Sequence, residues 1–285
     1  MKLSEKKLST THRALVYGEP KSGKTELVGR LSEYFKLLYF DLENGYVTLT
    51  KFPQAWQERI ELVSIPDTKV MPIGIETALK VINGAEIKIC EEHGKVACPK
   101  CTPINAPVVT VCLSSLSDDT IVVFDSLTQL ANSAMNHITK AQPELYKPEW
   151  HDYRAQGQLM DKFLSQVQQA SYNVVCITHE IETELEDGKK KLVPVAGTTS
   201  FSRNTAKYFD HVIRCSIQNK KHTFASSTTA SLQAISGSRT DVELEKDEKP
   251  SLLRVFKPEL FGITAKVNPV TPGQIALKSL GGMVK

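Results

Sequence analysis

The octapeptide Gly18-Glu19-Pro20-Lys21-Ser22-Gly23-Lys24-Thr25 fits G-x-x-x-x-G-K-[ST] at every required position. An apolar run, Ala14–Tyr17, precedes it and reads as a buried strand. Leu27, Val28, Leu31, Tyr34 and Phe35 follow at helical spacing and predict a helix over Glu26–Lys36. A chance glycine-rich turn would not carry this strand–loop–helix context. Gly18 and Gly23 let the backbone turn its N–H groups inward as an anion nest, and the helix N-terminus adds a positive dipole end. Glu19, Pro20, Lys21, Ser22 and Glu26 complete the phosphate-facing stretch. Lys24 is expected to reach the β- and γ-phosphates and Thr25 to ligate Mg²⁺, with ATP the expected nucleotide.

Three further strand ends carry polar residues. Thr120–Phe124 predicts a buried parallel strand, and Asp125 sits at its carboxyl end, where open α/β sheets bind ligands. Asp125 is expected to hold Mg²⁺; the plainer alternative is an N-cap aspartate. Leu37–Phe40 predicts another strand, ending in Asp41-Leu42-Glu43. Hydrolysis needs a group that orients the attacking water. Ser126 rather than glutamate follows Asp125, so Glu43 is the candidate base, with Asp41 its rival and a solvated acidic turn the alternative. Asn173–Thr178 predicts a fourth strand, ending at His179-Glu180. His179 is a candidate γ-phosphate sensor, or simply a hydrogen-bonded strand-end histidine.

Together these strand ends resemble the RecA-type ATPase core, in which the glutamate follows the second strand rather than the metal-holding acid. His179 stands where that family carries a sensor glutamine. Gly197–Asp210 is similar to the end of the family's second DNA-binding loop and the helix after it. The P-loop lies near the first residue, and this compact core resembles bacteriophage RecA-like proteins that bind and anneal single-stranded DNA. The resemblance spans about residues 12–218. It implies an α/β RecA-type P-loop NTPase: a mostly parallel central sheet flanked by helices, with a small Cys/His insertion. It also implies a DNA-stimulated ATPase acting as a homo-oligomer, ring or filament, on single-stranded DNA. A single-stranded-DNA-binding protein is a further candidate partner, and the host cytoplasm the expected location. A translocating helicase or packaging motor, and a nucleotide-gated module with little hydrolysis, are the rival readings.

Cys90-Glu91-Glu92-His93 and Cys98-Pro99-Lys100-Cys101 give C-x₂-H-x₄-C-x₂-C inside the insertion at 88–112. Cys90, His93, Cys98 and Cys101 are therefore candidate ligands of a structural Zn²⁺. Unrelated reduced thiols and a redox pair are the alternatives, and Cys112 is a substitute ligand. Glu180–Phe201 reads as a loop with lysines at 189–191, and Asn132–Trp150 as a polar stretch with Tyr146 and Trp150 available for base stacking. Asp152–Ala170 predicts an amphipathic helix with Tyr153, Leu159, Met160, Phe163, Leu164 and Val167 inward. Arg203, Lys207 and Arg239 are candidates for a basic residue acting on a neighbour's nucleotide.

The net charge of +3 does not by itself imply a nucleic-acid partner. Met1–Thr11 is polar and lysine-rich, without the apolar stretch of a signal peptide, and no membrane span is expected. The expected division is an arm at 1–11, a core at 12–250 and a tail at 251–285, with Ser251–Phe261 a short helix broken at Pro258.

Overall fold

The computed structural model describes residues 11–184, 188–227, 234–240, 242–244 and 250–263. Residues 1–10 of the expected arm at 1–11, the residues beyond 263 and most of the charged stretch 241–249 lie outside these. Among the described residues six parallel strands form the centre of the sheet: β1 (Arg13–Gly18), β2 (Lys36–Asp41), β3 (Ile60–Ser64), β6 (Thr120–Asp125), β7 (Asn173–Glu184) and β9 (His211–Gln218). The sheet runs β10-β9-β1-β7-β6-β2-β3, with β10 (Lys221–Ala225) and β11 (Gly237–Ser238) antiparallel to β9, and β8 (Lys190–Pro194) antiparallel to β7. Near-continuous apolar strands such as Ala14–Tyr17 and Ile121–Phe124 are buried on both faces, as a parallel sheet covered by helices requires.

Alternation along the strands sorts their side chains into two layers. Leu15, Tyr17, Phe40, Val122 and Phe124 pack with α3 (Gly74–Ile82), α4 (Leu127–Thr139) and α5 (Trp150–Gln168). Ala14, Val16, Tyr39, Ile121 and Val123 pack with α1 (Lys24–Gly29) and with Phe52, which leads into the single turn α2 (Gln54–Gln57). Leu252, Leu253 and Val255, on and beside α7 (Leu253–Phe256), join this second layer, and a 3-10 turn follows from Pro258. The insertion is a separate antiparallel pair, β4 (Ile87–Cys90) and β5 (Val108–Val111). The short helix α6 (Thr199–Asn204) precedes β9 and is capped by Thr198.

Several expectations from the sequence change. The helix after the P-loop is shorter, ending at Gly29 and tightening into a 3-10 turn over Arg30–Glu33. The polar stretch after Asp125 is helical to Thr139, because Leu130, Ala131 and Ala134 bury one face and Ser126 caps the start. Tyr153, expected inward on α5, is 45% exposed, and its place in the core is taken by Asp152 and Gln156. The segment after His179 is a β-hairpin rather than a loop: β7 continues to Glu184 and pairs with β8, Glu180 opposite Pro194. Glu182 pairs with Lys190 across its two strands at 2.7 Å, and Glu180 with Arg214 on β9 at 2.9 Å.

Candidate functional site

Parallel pairing brings the chemistry-bearing strand ends to one edge. Gly18 lies beside His179, and Asp41 beside Asp125. This is the carboxyl edge at which α/β sheets bind ligands. Gly18 is required there: a Cβ would sit 2.0 Å from the carbonyl oxygen of Cys215 on β9. Lys21 and Gly23 adopt φ of 65° and 92°, which curl the loop over the start of α1. Within that curl Lys24 Nζ donates to the carbonyls of Gly18 (3.0 Å) and Glu19 (2.8 Å). Burial lowers the Lys24 pKa, and the negative groups nearby, Asp125 and Glu43 among them, oppose the shift. Ser22 Oγ is buried in the loop with no hydrogen-bond partner among the described residues.

Asp125 anchors the opposite wall. Its Oδ2 accepts from Thr25 Oγ1 at 3.0 Å and from the Tyr39 hydroxyl at 2.6 Å. Burial raises its pKa to about 6 despite those two bonds, and the charges of Glu43 and Asp41 add to the rise. A buried carboxylate beside a threonine hydroxyl is an oxygen donor set that fits a hard divalent cation such as Mg²⁺. The Asp125–Ser126 peptide bond is cis.

Asp41 and Glu43 differ in their surroundings. The Asp41 carboxylate is buried and accepts the backbone N–H groups of Glu43, Gly45 and Tyr46, which shapes the turn after β2. That turn crosses the metal-fitting pair, since a Cβ on Gly45 would lie 3.3 Å from Asp125 Oδ2. The Glu43 side chain instead points across the site. It accepts the Ser126 hydroxyl and lies 3.3 Å from His179 Nε2. Burial pushes its pKa up, but the bonds from His179 and Ser126 and the charge of Lys24 outweigh burial and leave it lowered. The His179 backbone N–H donates to Thr128 Oγ1 on α4 at 3.1 Å, so His179 links Glu43 to the start of the β7–β8 hairpin.

Tyr39, Ser126 and Thr128 were not anticipated as site residues. A signal existed for Tyr39: a tyrosine two residues before Asp41 on a strand shares its face, and a buried hydroxyl needs a partner. The basic candidates all have partners in the same chain. Arg239 pairs with Asp210 at 3.1 Å, the Lys207 ammonium lies over the Tyr208 ring, and Arg203 donates to the Glu184 carbonyl. Tyr146 donates to Asp152 (2.6 Å) at the start of α5, whereas Trp150 is 75% exposed with Arg154 over its ring.

In the insertion, Cys90, His93, Cys98 and Cys101 converge with their ligand atoms all within 4.8 Å of one another, a cluster compatible with zinc. Cys112 stands apart from the cluster, its thiol against Gly84 O and Ser114 Oγ.

The loop, the buried acid and the parallel sheet define a P-loop ATPase-type domain of RecA-like architecture. A family model described as AAA domain matches residues 10–240, and the chain belongs to that family. No curated protein sequence matches the chain. Among solved structures it is similar to the KaiC-like protein PH0186 from the hyperthermophilic archaeon Pyrococcus horikoshii OT3, at 12% identity over 77% of this chain and 80% of that one, TM-score 0.38. It is also similar to an ATPase from the type III secretion system of pathogenic bacteria, at 12% identity over 73% of this chain and 52% of that one, TM-score 0.43. Among the described residues no helix is long and apolar enough to cross a membrane.

Proposed function

We propose that this chain binds ATP with Mg²⁺ at Gly18–Thr25 and hydrolyses it, and that hydrolysis supports single-strand annealing or strand exchange in phage DNA recombination. The observation that carries the hydrolytic reading is the placement of Glu43. Its carboxylate is ionised, oriented by Ser126 and His179, and set across from Lys24 and the Thr25–Asp125 pair. Lys24 and the loop N–H groups hold the phosphates, with Glu19 to Ser22 and Glu26 lining their path. Thr25 and Asp125 hold Mg²⁺, which supplies charge neutralisation on the phosphates when bound. Glu43 takes the proton of the attacking water; Asp41, engaged by three N–H groups, shapes the turn instead. His179 reports the state of Glu43 to the β7–β8 hairpin.

The single-strand reading is supported by a groove of about 650 Å³ between α5 and α6, lined by Tyr153, Arg154, Lys162, Phe201, Asn204 and Lys207. Aromatic faces interleaved with cations suit stacked bases and a phosphate backbone. In this reading the protein works as a homo-oligomer, ring or filament, in the cytoplasm. Turnover measured without DNA, with single-stranded DNA and with duplex DNA tests it. Stimulation by single strands is expected; equal turnover in all three conditions refutes the recombination role.

A further inference from the structure

The Cys/His cluster belongs to the insertion and takes no part in nucleotide hydrolysis. The insertion folds back twice. In the first turn Gly94 N–H donates to Cys90 O (2.9 Å) and Cys90 N–H to Lys95 O (3.1 Å), which brings His93 over Cys90. In the second, Thr102 N–H donates to Cys98 O (2.9 Å) and Ala106 N–H to Cys101 O (3.2 Å). The two turns face each other, and the three thiols are buried and unbridged. Three is an odd number, so disulfide pairing would leave one thiol over.

The distances between ligand atoms decide what fits. A tetrahedral Zn²⁺ with Zn–S about 2.3 Å and Zn–N about 2.0–2.1 Å separates a sulfur from a nitrogen by about 3.6 Å. His93 Nδ1 lies 3.2 Å from Cys101 Sγ and 3.8 Å from Cys98 Sγ, which brackets that edge length. Nδ1 is thus the ring nitrogen facing the thiols. The other nitrogen, Nε2, points away from the thiols, 3.8 Å from the exposed Glu92 carboxylate, whose second oxygen lies 3.8 Å from Cys101 Sγ.

We infer that Cys90, His93, Cys98 and Cys101 hold one Zn²⁺ through three thiolates and His93 Nδ1, and that this closed site seats the insertion on the edge of the central sheet. Binding releases the thiol protons to water, and no redox step is involved. Four protein ligands leave no open position, so the metal is structural. The seat is explicit in the packing. Gly94 O accepts from the buried Thr77 hydroxyl on α3 (2.9 Å), and a Cβ on Gly94 would meet Ser64 O at 2.6 Å and Ile65 Cα at 2.7 Å. The turn carrying His93 therefore presses on the end of β3. Ile65 N–H there donates to the carbonyl of Asp41 (2.8 Å), in the strand end that bears the nucleotide-site turn.

The test is metal analysis of the full chain, purified with zinc supplied, alongside Cys98→Ser, His93→Cys and Cys112→Ser. One zinc per chain is expected in the wild type, in Cys112→Ser and in His93→Cys, which keeps a four-thiolate set; Cys98→Ser is expected to lose it. Replacing zinc by Co²⁺ in the chelator-treated wild-type chain is expected to give the thiolate-to-cobalt absorption of a tetrahedral site, a readout that holds even where Cys98→Ser fails to fold. Amide exchange on chelation is expected to rise first over 87–112. Zinc-free wild-type protein, iron in its place, equal loss in Cys112→Ser, or Co²⁺ binding without the thiolate band would each overturn the inference.

Discussion

A histidine pair at the amino-terminal ends of β1 and β9, His211 buried and His12 half-buried, makes stability depend on pH. His211 Nε2 and His12 Nδ1 lie 3.2 Å apart, and His211 Nδ1 lies 2.9 Å from Ser238 Oγ. Two protonated rings cannot share that contact. Burial pushes the His211 pKa down to about 4, helped by His12, Arg239 and Arg13, with Asp210 opposing. His12 is lowered too, by burial first. In the unfolded chain each has the ordinary value, 6.5. The unfolded state therefore binds the proton first, and stability is lost as pH falls from about 6.5 towards 4. For His211 alone the loss between pH 7.5 and pH 5 is about 2 kcal/mol, rising to about 3.4 kcal/mol below pH 4. Urea unfolding of the wild type and His211→Gln at pH 7.5, 6 and 5 reads this directly. The variant should be less stable at pH 7.5, having lost two hydrogen bonds, but its stability should fall less on acidification. Parallel stability–pH curves for the two proteins would refute the reasoning.

Two other substitutions probe the frame around the site. Phe163→Ala removes a fully buried ring packed edge-on against Phe124 at 5.0 Å, and should cost about 3–5 kcal/mol in denaturant unfolding; a loss under about 1 kcal/mol would contradict the packing. Asp41→Ala removes the acceptor of three backbone N–H groups, each such charged bond worth about 1.5–3 kcal/mol and not additive. It should lower stability by at least about 2 kcal/mol and slow turnover through the displaced turn; unchanged unfolding would remove Asp41 from its structural role.

The nucleotide edge was largely legible because short-range pattern and strand-end chemistry coincide there. Gly18, Asp41, Asp125 and His179 fall where apolar runs stop, parallel pairing carries them to one edge, and Lys24, Thr25 and Glu43 lie on the segments that follow β1 and β2. The Cys/His cluster was legible for a similar reason, its spacing being local. Less legible was everything decided by long-range pairing. Strand β7 could be read to Thr178; beyond it Glu180-Ile181-Glu182-Thr183-Glu184 alternates acids with β-branched residues, a strand pattern masked by its three acids, and its partner Lys190–Pro194 completes the hairpin. The Asn219–Lys220 turn uses two positive-φ residues without glycine, so the β9–β10 hairpin lacked the usual signal. The choice between Asp41 and Glu43 was likewise open, since two acids in one turn differ only in which backbone groups and hydroxyls they meet.

The central claim is that Glu43 activates water at a site that binds nucleotide independently of it. The direct measurement is turnover by Glu43→Gln with its ATP affinity determined in parallel. The substitution keeps the shape but removes the base, so kcat should fall by about 10²–10⁴-fold while ATP affinity stays within a few-fold of the wild type. Wild-type turnover in Glu43→Gln would contradict the account.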